Sequence, residues 1–425
     1  MDSPPFAWHD HDSAAELRSR FAAIRKRTTD LAAPLPVEDQ VVQSMADVSP
    51  TKWHLAHTTW FFETFVLAAF VDDYEPFRQG FEYLFNSYYQ GAGPQFDRPR
   101  RGTIGRPTVA EIHEYRRHVD RAVDCLFDAA PLRQEQAAVI EVGLHHEQQH
   151  QELLLTDIKH VLASNPLRPA YRQDCAADQR GAEAGQLPPV KWLERQGDVY
   201  RIGHEGSSFW FDNERPRHRV FLEDFRLATR PVTCAEYMEF IADGGYDEPR
   251  WWLSLGWQAV QDNGWQSPLY WERRHDQWWT MTLGGMRPVV VDEPVCHVSY
   301  FEADAYARWA GARLPTEAEW EVVGADQELS GNFAESRRLH PMALVGDDRR
   351  FFGDVWEWTS SPYTAYPGFE PWPDTLGEYN GKFMCNQFVL RGGSCATAQD
   401  HIRRTYRNFF PPDARWQFSG FRLAQ

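Results

Sequence analysis

The chain of 425 residues lacks the features of several common classes of protein. No stretch approaches the ~20 consecutive apolar residues that a membrane-spanning helix needs. The first residues, MDSPPFAWHDHDS, carry acids and prolines where a signal peptide needs cations and an apolar run. The six cysteines form no CxxC pair, which disfavours a disulfide framework or a zinc knuckle. We therefore expect a soluble protein of the reducing cytoplasm, without a membrane partner.

Positive charge is also scarce. Lysine and arginine number 44 against 61 acidic residues, and the net charge is −17 at pH 7. Affinity for nucleic acid depends on clustered cations, so nucleic acid is not an expected partner. The length exceeds what one hydrophobic core usually supports and predicts two domains, while an oligomer remains an open possibility.

Helical periodicity dominates residues 1–165. Four segments repeat apolar residues at helical spacing: one capped by Ser13 and running to about residue 27, and others at 51–70, 109–129 and 134–162. Four such segments predict a four-helix bundle. An irregular segment at 72–106 separates the second and third helices. Loops of this length inside compact domains often carry functional residues.

The residue composition and the helical periodicity of the chain change after residue 165. Residues 166–189 are rich in proline, glycine, alanine and charge, and predict a linker. Residues 190–425 contain short strand-like runs, many turns and one clear helix, FEADAYARWAG. This pattern predicts a second domain of the α+β class.

A histidine pattern in the fourth helix, GLHHEQQHQELLL, indicates a metal site. His146 and His150 are one turn apart and share a face, with Cβ atoms about 5–6 Å from each other. His160 lies about 15 Å further along the helix axis, too far to bind the same ion. A third ligand must come from another helix, and in WHLAHTTWFFE spacing alone leaves His54 and His57 open.

The same segment also fits HExxH, the zinc metallopeptidase signature. In that alternative, a zinc metallohydrolase would use Glu147 as its general base. The glycine and histidine of the extended signature are absent, since Leu153 and Thr156 occupy those positions. A non-catalytic carbohydrate-binding module with structural histidines is a third alternative.

Several strings in both halves resemble one known family. WHLAH, YLFNSYY, RGTIGRPT and HHEQQHQEL resemble the DinB-like domain of EgtB-type ergothioneine-pathway sulfoxide synthases, the hercynine oxygenases. RPVTCAEYMEFI, GDVWEWTSSP, VLRGGSCAT and RNFFPPDARWQFSGFRLA resemble their formylglycine-generating-enzyme/sulfatase-modifying domain, which has a C-type-lectin-like fold. The resemblance implies a DinB-like four-helix bundle at 1–165, followed at 190–425 by that second domain.

The family resemblance implies a reaction and its cofactors. Fe(II), with O2 as co-substrate, would join the sulfur of cysteine or γ-glutamylcysteine to C2 of the hercynine imidazole and leave a sulfoxide. It also implies His57 as the third ligand beside His146 and His150. An ovothiol-type enzyme, which couples cysteine to unmethylated histidine at C5, is the alternative within this class.

Further residues are expected to bind the hercynine substrate. By resemblance, Gln149 hydrogen-bonds the imidazole, and Asn408 and Phe409 hold the betaine end. Trp53, one turn before His57, could offer an aromatic face to the quaternary ammonium, which cannot donate hydrogen bonds.

The thiol side of the reaction has its own candidates. Arg98 and Arg101 could pair with the cysteine carboxylate through bidentate hydrogen bonds. The tyrosine pair in FNSYYQ, Tyr88 and Tyr89, resembles the cysteine-using branch, and a phenol beside iron can donate a proton.

Two departures from the family pattern bear on the thiol substrate. Members that take γ-glutamylcysteine carry a tyrosine shortly before the RGGS string, where this chain offers Gln387. They also carry an aspartate where this chain has Phe410. The absence of that acid favours free cysteine, which has no additional amino group to anchor.

Overall fold

The computed structural model describes residues 14–129, 131–177, 189–343 and 349–425. They divide into two compact units. The first unit comprises the described residues up to Pro166 together with two segments from later in the chain, Gly206–Phe209 and Pro371–Asn380. The second unit contains the described residues of Leu167–Glu205, Trp210–Glu370 and Gly381–Gln425. Ser13 and residues 178–188 of the predicted linker lie outside the described residues.

The first unit is helical, as its periodicity predicts. Its helices are α1 (Ala14–Ala32), α2 (Thr51–Phe62), α3 (Ala68–Phe70), α4 (Phe81–Phe85), α5 (Val109–Ala129) and α6 (Gln134–Ser164). The π-helical turn Glu63–Leu67 joins α2 to α3, and 3-10 turns lie at Asp39–Val41, Gln90–Ala92 and Arg98–Thr103. The first predicted helix continues to Ala32 instead of ending near residue 27. The other three predicted segments match the observed elements within two residues.

Close packing of α2 against α6 depends on Gly143. All twelve residues of α2 are buried, and α6 is buried along most of its length. A β-carbon at Gly143 would lie 2.7 Å from Cε1 of Phe62 and 2.9 Å from Cε1 of Phe61, closer than real side chains approach. Glycine therefore permits the two helices to meet one turn before His146.

The second unit contains more helix than its sequence predicted. Its helices are α7 (Asp174–Ala177), α8 (Cys234–Ala242), α9 (Ser254–Asn263), α10 (Tyr300–Trp309) and α11 (Glu317–Gly324). The helix expected from FEADAYARWAG corresponds to α10. The expectation that only one clear helix lies in this unit was wrong, because α7, α8, α9 and α11 are also present. A signal was available for α8 and α11, because Thr233 with Glu236 and Thr316 with Glu319 form capping boxes.

The strands of the second unit are short and form several small sheets. They are β1 (Trp192–Arg195), β2 (Asp198–Ile202), β3 (His218–Leu222), β4 (Phe225–Ala228), β5 (Trp271–Arg274), β6 (Gln277–Thr282), β7 (Gly285–Pro288), β8 (Gly331–Asn332), β9 (Phe352–Gly353), β10 (Trp356–Pro362), β11 (Phe388–Arg391), β12 (Asn408–Phe410) and β13 (Ser419–Gly420). The largest described sheet has the order β12-β11-β10-β13; β10 runs antiparallel to β11 and parallel to β13. Smaller sheets pair β1 with β4, β2 with β3 and β8 with β9, and β5, β6 and β7 form a meander.

The core of the second unit combines tryptophans with buried ion pairs. Trp320, Trp356 and Trp358 are almost fully buried. Arg407 binds Glu317 through two nitrogens, at 2.8 and 2.9 Å. Removing one partner of such a pair is costly, because it would leave a buried charge without compensation.

A membrane-spanning candidate is absent from the described helices, since none offers a sufficiently apolar stretch of the required length.

Candidate metal centre

Three buried histidines of the first unit converge on one point. His57 comes from α2, and His146 and His150 come from α6; one potential ligand atom of each lies within 4.8 Å of the other two. The Nε2 atoms of His57 and His146 are 3.2 Å apart. Two histidine nitrogens, each about 2.1 Å from one ion and at right angles, would lie about 3.0 Å apart. The group could therefore hold a single metal ion.

Hydrogen bonding orients two of these rings. Nδ1 of His57 is 2.5 Å from the carbonyl oxygen of Phe85, which can only accept, so Nδ1 carries the proton and Nε2 the lone pair. Nδ1 of His150 contacts the ring of His54, while its Nε2 has no hydrogen-bond partner among the described residues. A buried ring nitrogen without a partner is uncommon, and here it fits metal coordination.

Burial keeps all three rings neutral. Desolvation lowers the pKa of His146 to about 3. It also holds the pKa of His57 and of His150 well below the ordinary value, with a further contribution from the neighbouring His146. Neutral imidazoles are the form that binds metals, so the group needs no deprotonation at neutral pH. Three imidazoles suit iron, zinc, copper or nickel rather than magnesium or calcium.

The other histidines of the two helices lie outside this group. His54, which spacing left open as a ligand, contacts His150 from behind and lies 3.0 Å from Asp157. His160 pairs through Nδ1 with the hydroxyl of Ser44 at 2.7 Å. The ring of His145 stacks on Phe209 with centroids 3.9 Å apart. Of the two candidates on α2, His57 is the one that joins the group.

Glu147 is held by cations instead of facing the histidines. Its carboxylate accepts hydrogen bonds from Arg25 at 2.9 Å, from Thr28 at 2.6 Å and from Arg116. Burial alone would raise the pKa of Glu147, but Arg116 and Arg25 outweigh it and lower the pKa to about 2. A carboxylate paired in this way is a poor proton acceptor. The HExxH hydrolase alternative therefore lacks its general base.

Tyr379 is a residue near the histidines that sequence reasoning missed. It belongs to the Pro371–Asn380 segment of the first unit; its hydroxyl donates to Oε1 of Gln149 at 2.5 Å. Its ring centroid is 6.0 Å from that of His146 and 5.9 Å from that of Tyr88. The family pattern places a tyrosine nearer the RGGS string, where this chain has Gln387. Tyr379 precedes that position by eight residues, so a wider search upstream would have found it.

The loop that carries the predicted tyrosine pair is tied to this segment. Tyr89 is buried against Trp60 and Phe65, with centroids at 5.7 and 5.1 Å, whereas Tyr88 is half-buried. Both carboxylate oxygens of Glu378 accept backbone N–H groups of the loop, at 2.8 Å from Gln90 and 2.7 Å from Gly91. Glu378 thus links the Tyr88 loop to the segment that carries Tyr379.

Both faces of the Trp53 ring are covered by neighbouring side chains. Its ring stacks on His57 with centroids 4.5 Å apart, and the guanidinium carbon of Arg101 lies 3.4 Å from its ring centre. Two groups this close would overlap on one face, so they cover opposite faces. The ring of Trp53 packs on His57, and its role in binding a quaternary ammonium remains a prediction.

The two candidate arginines have different surroundings. Arg98 is exposed and donates to the carbonyl oxygen of Asp47 at 2.6 Å. Arg101 is buried and donates to the hydroxyls of Ser49 and Ser87, each at 3.0 Å. Desolvation lowers the pKa of Arg101 to about 9, followed by repulsion from Arg98. Their role in binding a carboxylate remains a prediction.

The predicted betaine-binding residues belong to the second unit. Asn408 and Phe409 lie on β12, where Oδ1 of Asn408 accepts the backbone N–H of Phe409 at 2.9 Å. The Phe409 ring stacks on Tyr363 with centroids 4.0 Å apart, and Phe383 lies 5.9 Å away. Phe410 packs edge-on against Trp416 at 5.9 Å. The substrate role of Asn408 and Phe409 remains a prediction.

Comparison with known families matches both parts of the chain. Residues 20–154 match the DinB superfamily, and residues 193–344 and 348–425 match the sulfatase-modifying factor enzyme 1-like domain. The predicted fold class, a helical DinB domain followed by a mixed α/β domain of the formylglycine-generating type, is confirmed. The fold and site define a class of two-part proteins in which the DinB helices carry a buried three-histidine group.

Full-length relatives narrow this class further. The chain is 32% identical to the hercynine oxygenase of Mycolicibacterium thermoresistibile over 96% of this chain and 94% of the relative. It is 33% identical to that of Mycobacterium tuberculosis over 97% and 99%. The hercynine oxygenase of Mycolicibacterium smegmatis is 42% identical, over 50% of this chain and 55% of the relative. The chain belongs to the hercynine oxygenase family and is an oxidoreductase, which confirms the resemblance drawn from its motifs.

Proposed function

We propose that this chain is an O2-dependent sulfoxide synthase of ergothioneine biosynthesis. It would form a bond between the sulfur of cysteine and C2 of the hercynine imidazole and oxygenate that sulfur. The observation that supports this most strongly is the buried group of His57, His146 and His150 in a chain that aligns almost end to end with hercynine oxygenases.

His57, His146 and His150 would hold Fe(II). When bound there, Fe(II) supplies the electron-transfer chemistry that activates O2. Three neutral histidines would leave coordination positions of the ion open for substrates and would not reduce its positive charge. This donor set accordingly favours an anionic thiolate as a further ligand.

Gln149 and Tyr379 would orient and protonate the reacting groups. The amide of Gln149 is placed one residue before His150, and its oxygen already accepts the Tyr379 hydroxyl. We assign Gln149 to the substrate imidazole, and the proton on Oη of Tyr379 to the oxygen as it is reduced. Tyr88, whose ring contacts that of Tyr379, would be the second phenol. Burial raises the pKa of Tyr88, so its hydroxyl keeps its proton at neutral pH.

Four of the predicted residues are proposed to recognise the ends of the two substrates. Arg101 and Arg98 are proposed for the cysteine carboxylate, and Phe409 with Asn408 for the betaine end of hercynine. An aromatic face attracts a quaternary ammonium through its negative quadrupole. Phe410 occupies the place of an acid that would anchor a second amino group. Free cysteine is therefore the proposed sulfur donor over γ-glutamylcysteine.

The direct test is a product assay. The purified protein is incubated with Fe(II), hercynine and either cysteine or γ-glutamylcysteine in air, and products are identified by mass. We expect the cysteine adduct as a sulfoxide and no adduct without O2. His57→Ala should lose bound iron and activity, while the control His160→Ala should keep both. A cysteine adduct formed only from unmethylated histidine, or turnover that continues without O2, would refute the proposal.

A further inference from the structure

A chain of buried polar groups runs behind the His150 ligand. Oδ2 of Asp157 accepts the backbone N–H of Ser49 at 2.8 Å and lies 3.0 Å from Nε2 of His54. On its other side, Nδ1 of His54 lies 2.9 Å from Nδ1 of His150. His54, His150 and Asp157 are each at most 3% exposed, so these contacts lie in the interior of the helical unit.

The direction of each hydrogen bond follows from proton accounting. The carboxylate of Asp157 can only accept, so Nε2 of His54 donates to it. A neutral His54 then carries a lone pair on Nδ1. Between the two facing Nδ1 atoms there is room for one proton, and it must therefore sit on His150. This leaves Nε2 of His150 unprotonated, on a ring whose centroid lies 4.7 Å from that of His57.

We propose that Asp157 and His54 are positioning residues that hold His150 in the tautomer able to bind metal through Nε2. Without the hydrogen bonds from His54 and Asp157, the imidazole of His150 would divide its proton between both nitrogens and rotate more freely. Partners of this kind fix the tautomer and orientation of ligating histidines and strengthen their basicity. The inference rests on the proposed metal-binding role of His150. It adds that Asp157 and His54 raise the affinity of His150 for the metal.

The first test reads the proton directly in the metal-free protein. Nitrogen-15 NMR of the histidine side chains distinguishes the two neutral tautomers. We expect a resonance pair for His150, assigned by comparison with His150→Ala, that reports a proton on Nδ1. For His54 we expect the proton on Nε2. A proton on Nε2 of His150 would overturn the proposal without any activity measurement.

The second test measures affinity for Co(II), added alone and followed by its visible absorption. His54→Phe keeps a ring of similar size but removes the acceptor, and should weaken Co(II) binding by about 10–100-fold. Asp157→Asn, which keeps the shape and removes the charge, should weaken binding by a smaller factor. His160→Phe, on α6 with Asp157 and His150, is the matched control, and its Co(II) affinity should stay within about twofold of wild type.

The outcomes separate the inference from the function on which it rests. Wild-type Co(II) affinity in His54→Phe, with His150→Ala unable to bind, would overturn the positioning role and leave the metal site intact. Wild-type affinity in His150→Ala would overturn the metal site itself. Circular dichroism of each metal-free variant checks folding. If His54→Phe fails to fold, the tautomer measurement on the wild type still decides.

Discussion

Glu147 lies between His146 and His150 in sequence, but its carboxylate connects α6 to neighbouring helices. Replacing it with glutamine (Glu147→Gln) isolates the contribution of this buried charge to stability. The carboxylate bonds Arg25 and Thr28 of α1 and Arg116 of α5. Glutamine keeps the shape and removes the charge. Arg25 would keep Asp120 at 2.6 Å, whereas Arg116 would keep only neutral partners among the described residues.

Two independent arguments give the loss of unfolding free energy expected in Glu147→Gln. The pKa of Glu147 is lowered from its ordinary value of 4.5 to about 2, which corresponds to about 3 kcal/mol at about 1.36 kcal/mol for each tenfold change. Removing one partner from a buried ion pair costs about 3–5 kcal/mol, because a charge is left uncompensated. For a unit of this size, that loss lowers the melting temperature by roughly 6–20 °C.

Thermal and urea unfolding of the iron-free protein, followed by circular dichroism, measures this loss. The control is Glu141→Gln on the same helix, whose pair with the partly exposed Arg20 at 3.2 Å should contribute less than about 1 kcal/mol. Equal stability of the two variants would refute the reasoning. Sulfoxide formation by Glu147→Gln at low temperature should persist, whereas a hydrolase that used Glu147 as base would be inactive.

The pH dependence of the same difference has a definite sign. Because the folded state lowers the pKa of Glu147, its contribution is fully present above the unfolded value of about 4.5. It is lost as pH falls towards about 2. The gap in unfolding free energy between wild type and Glu147→Gln should therefore be constant near neutrality and shrink between those two values. A gap that grows on acidification would contradict the ion-pair account.

Three further predictions concern the Pro371–Asn380 segment. Tyr379→Phe should shift the product from sulfoxide towards oxidised cysteine, more strongly than Tyr88→Phe and with unchanged iron content; an unchanged product ratio by mass spectrometry would discard the proton-donor role. Glu378→Ala should speed amide hydrogen exchange at Gln90 and Gly91 and raise the KM for the thiol, whereas the exposed Glu370→Ala should change neither. Gly377→Ala should displace this segment, because its β-carbon would lie 1.7 Å from the carbonyl oxygen of Trp372. The control Gly381→Ala meets its nearest atom at 3.5 Å and should retain activity.

Residue pattern alone determined the features that depend on local chemistry. Helical periodicity located α2, α5 and α6, because an apolar stripe at helical spacing must be buried. The one-turn spacing of His146 and His150 likewise placed two imidazoles side by side, since residues four apart share a helix face. Local pattern was weaker in the second unit, where α8 and α11 are short and their capping boxes were the usable signal.

The tertiary structure decided which side chains meet across elements. His54 and His57 are three residues apart on α2, but the packing of α2 against α6 places His57 beside His146 and His54 beside Asp157. Tyr379 joins the first unit from more than two hundred residues beyond His150, a proximity that no spacing rule can express. Only the packed structure shows that His57 and Arg101 cover the two faces of the Trp53 ring. Contacts of this kind depend on how elements pack, and packing is a property of the whole folded chain.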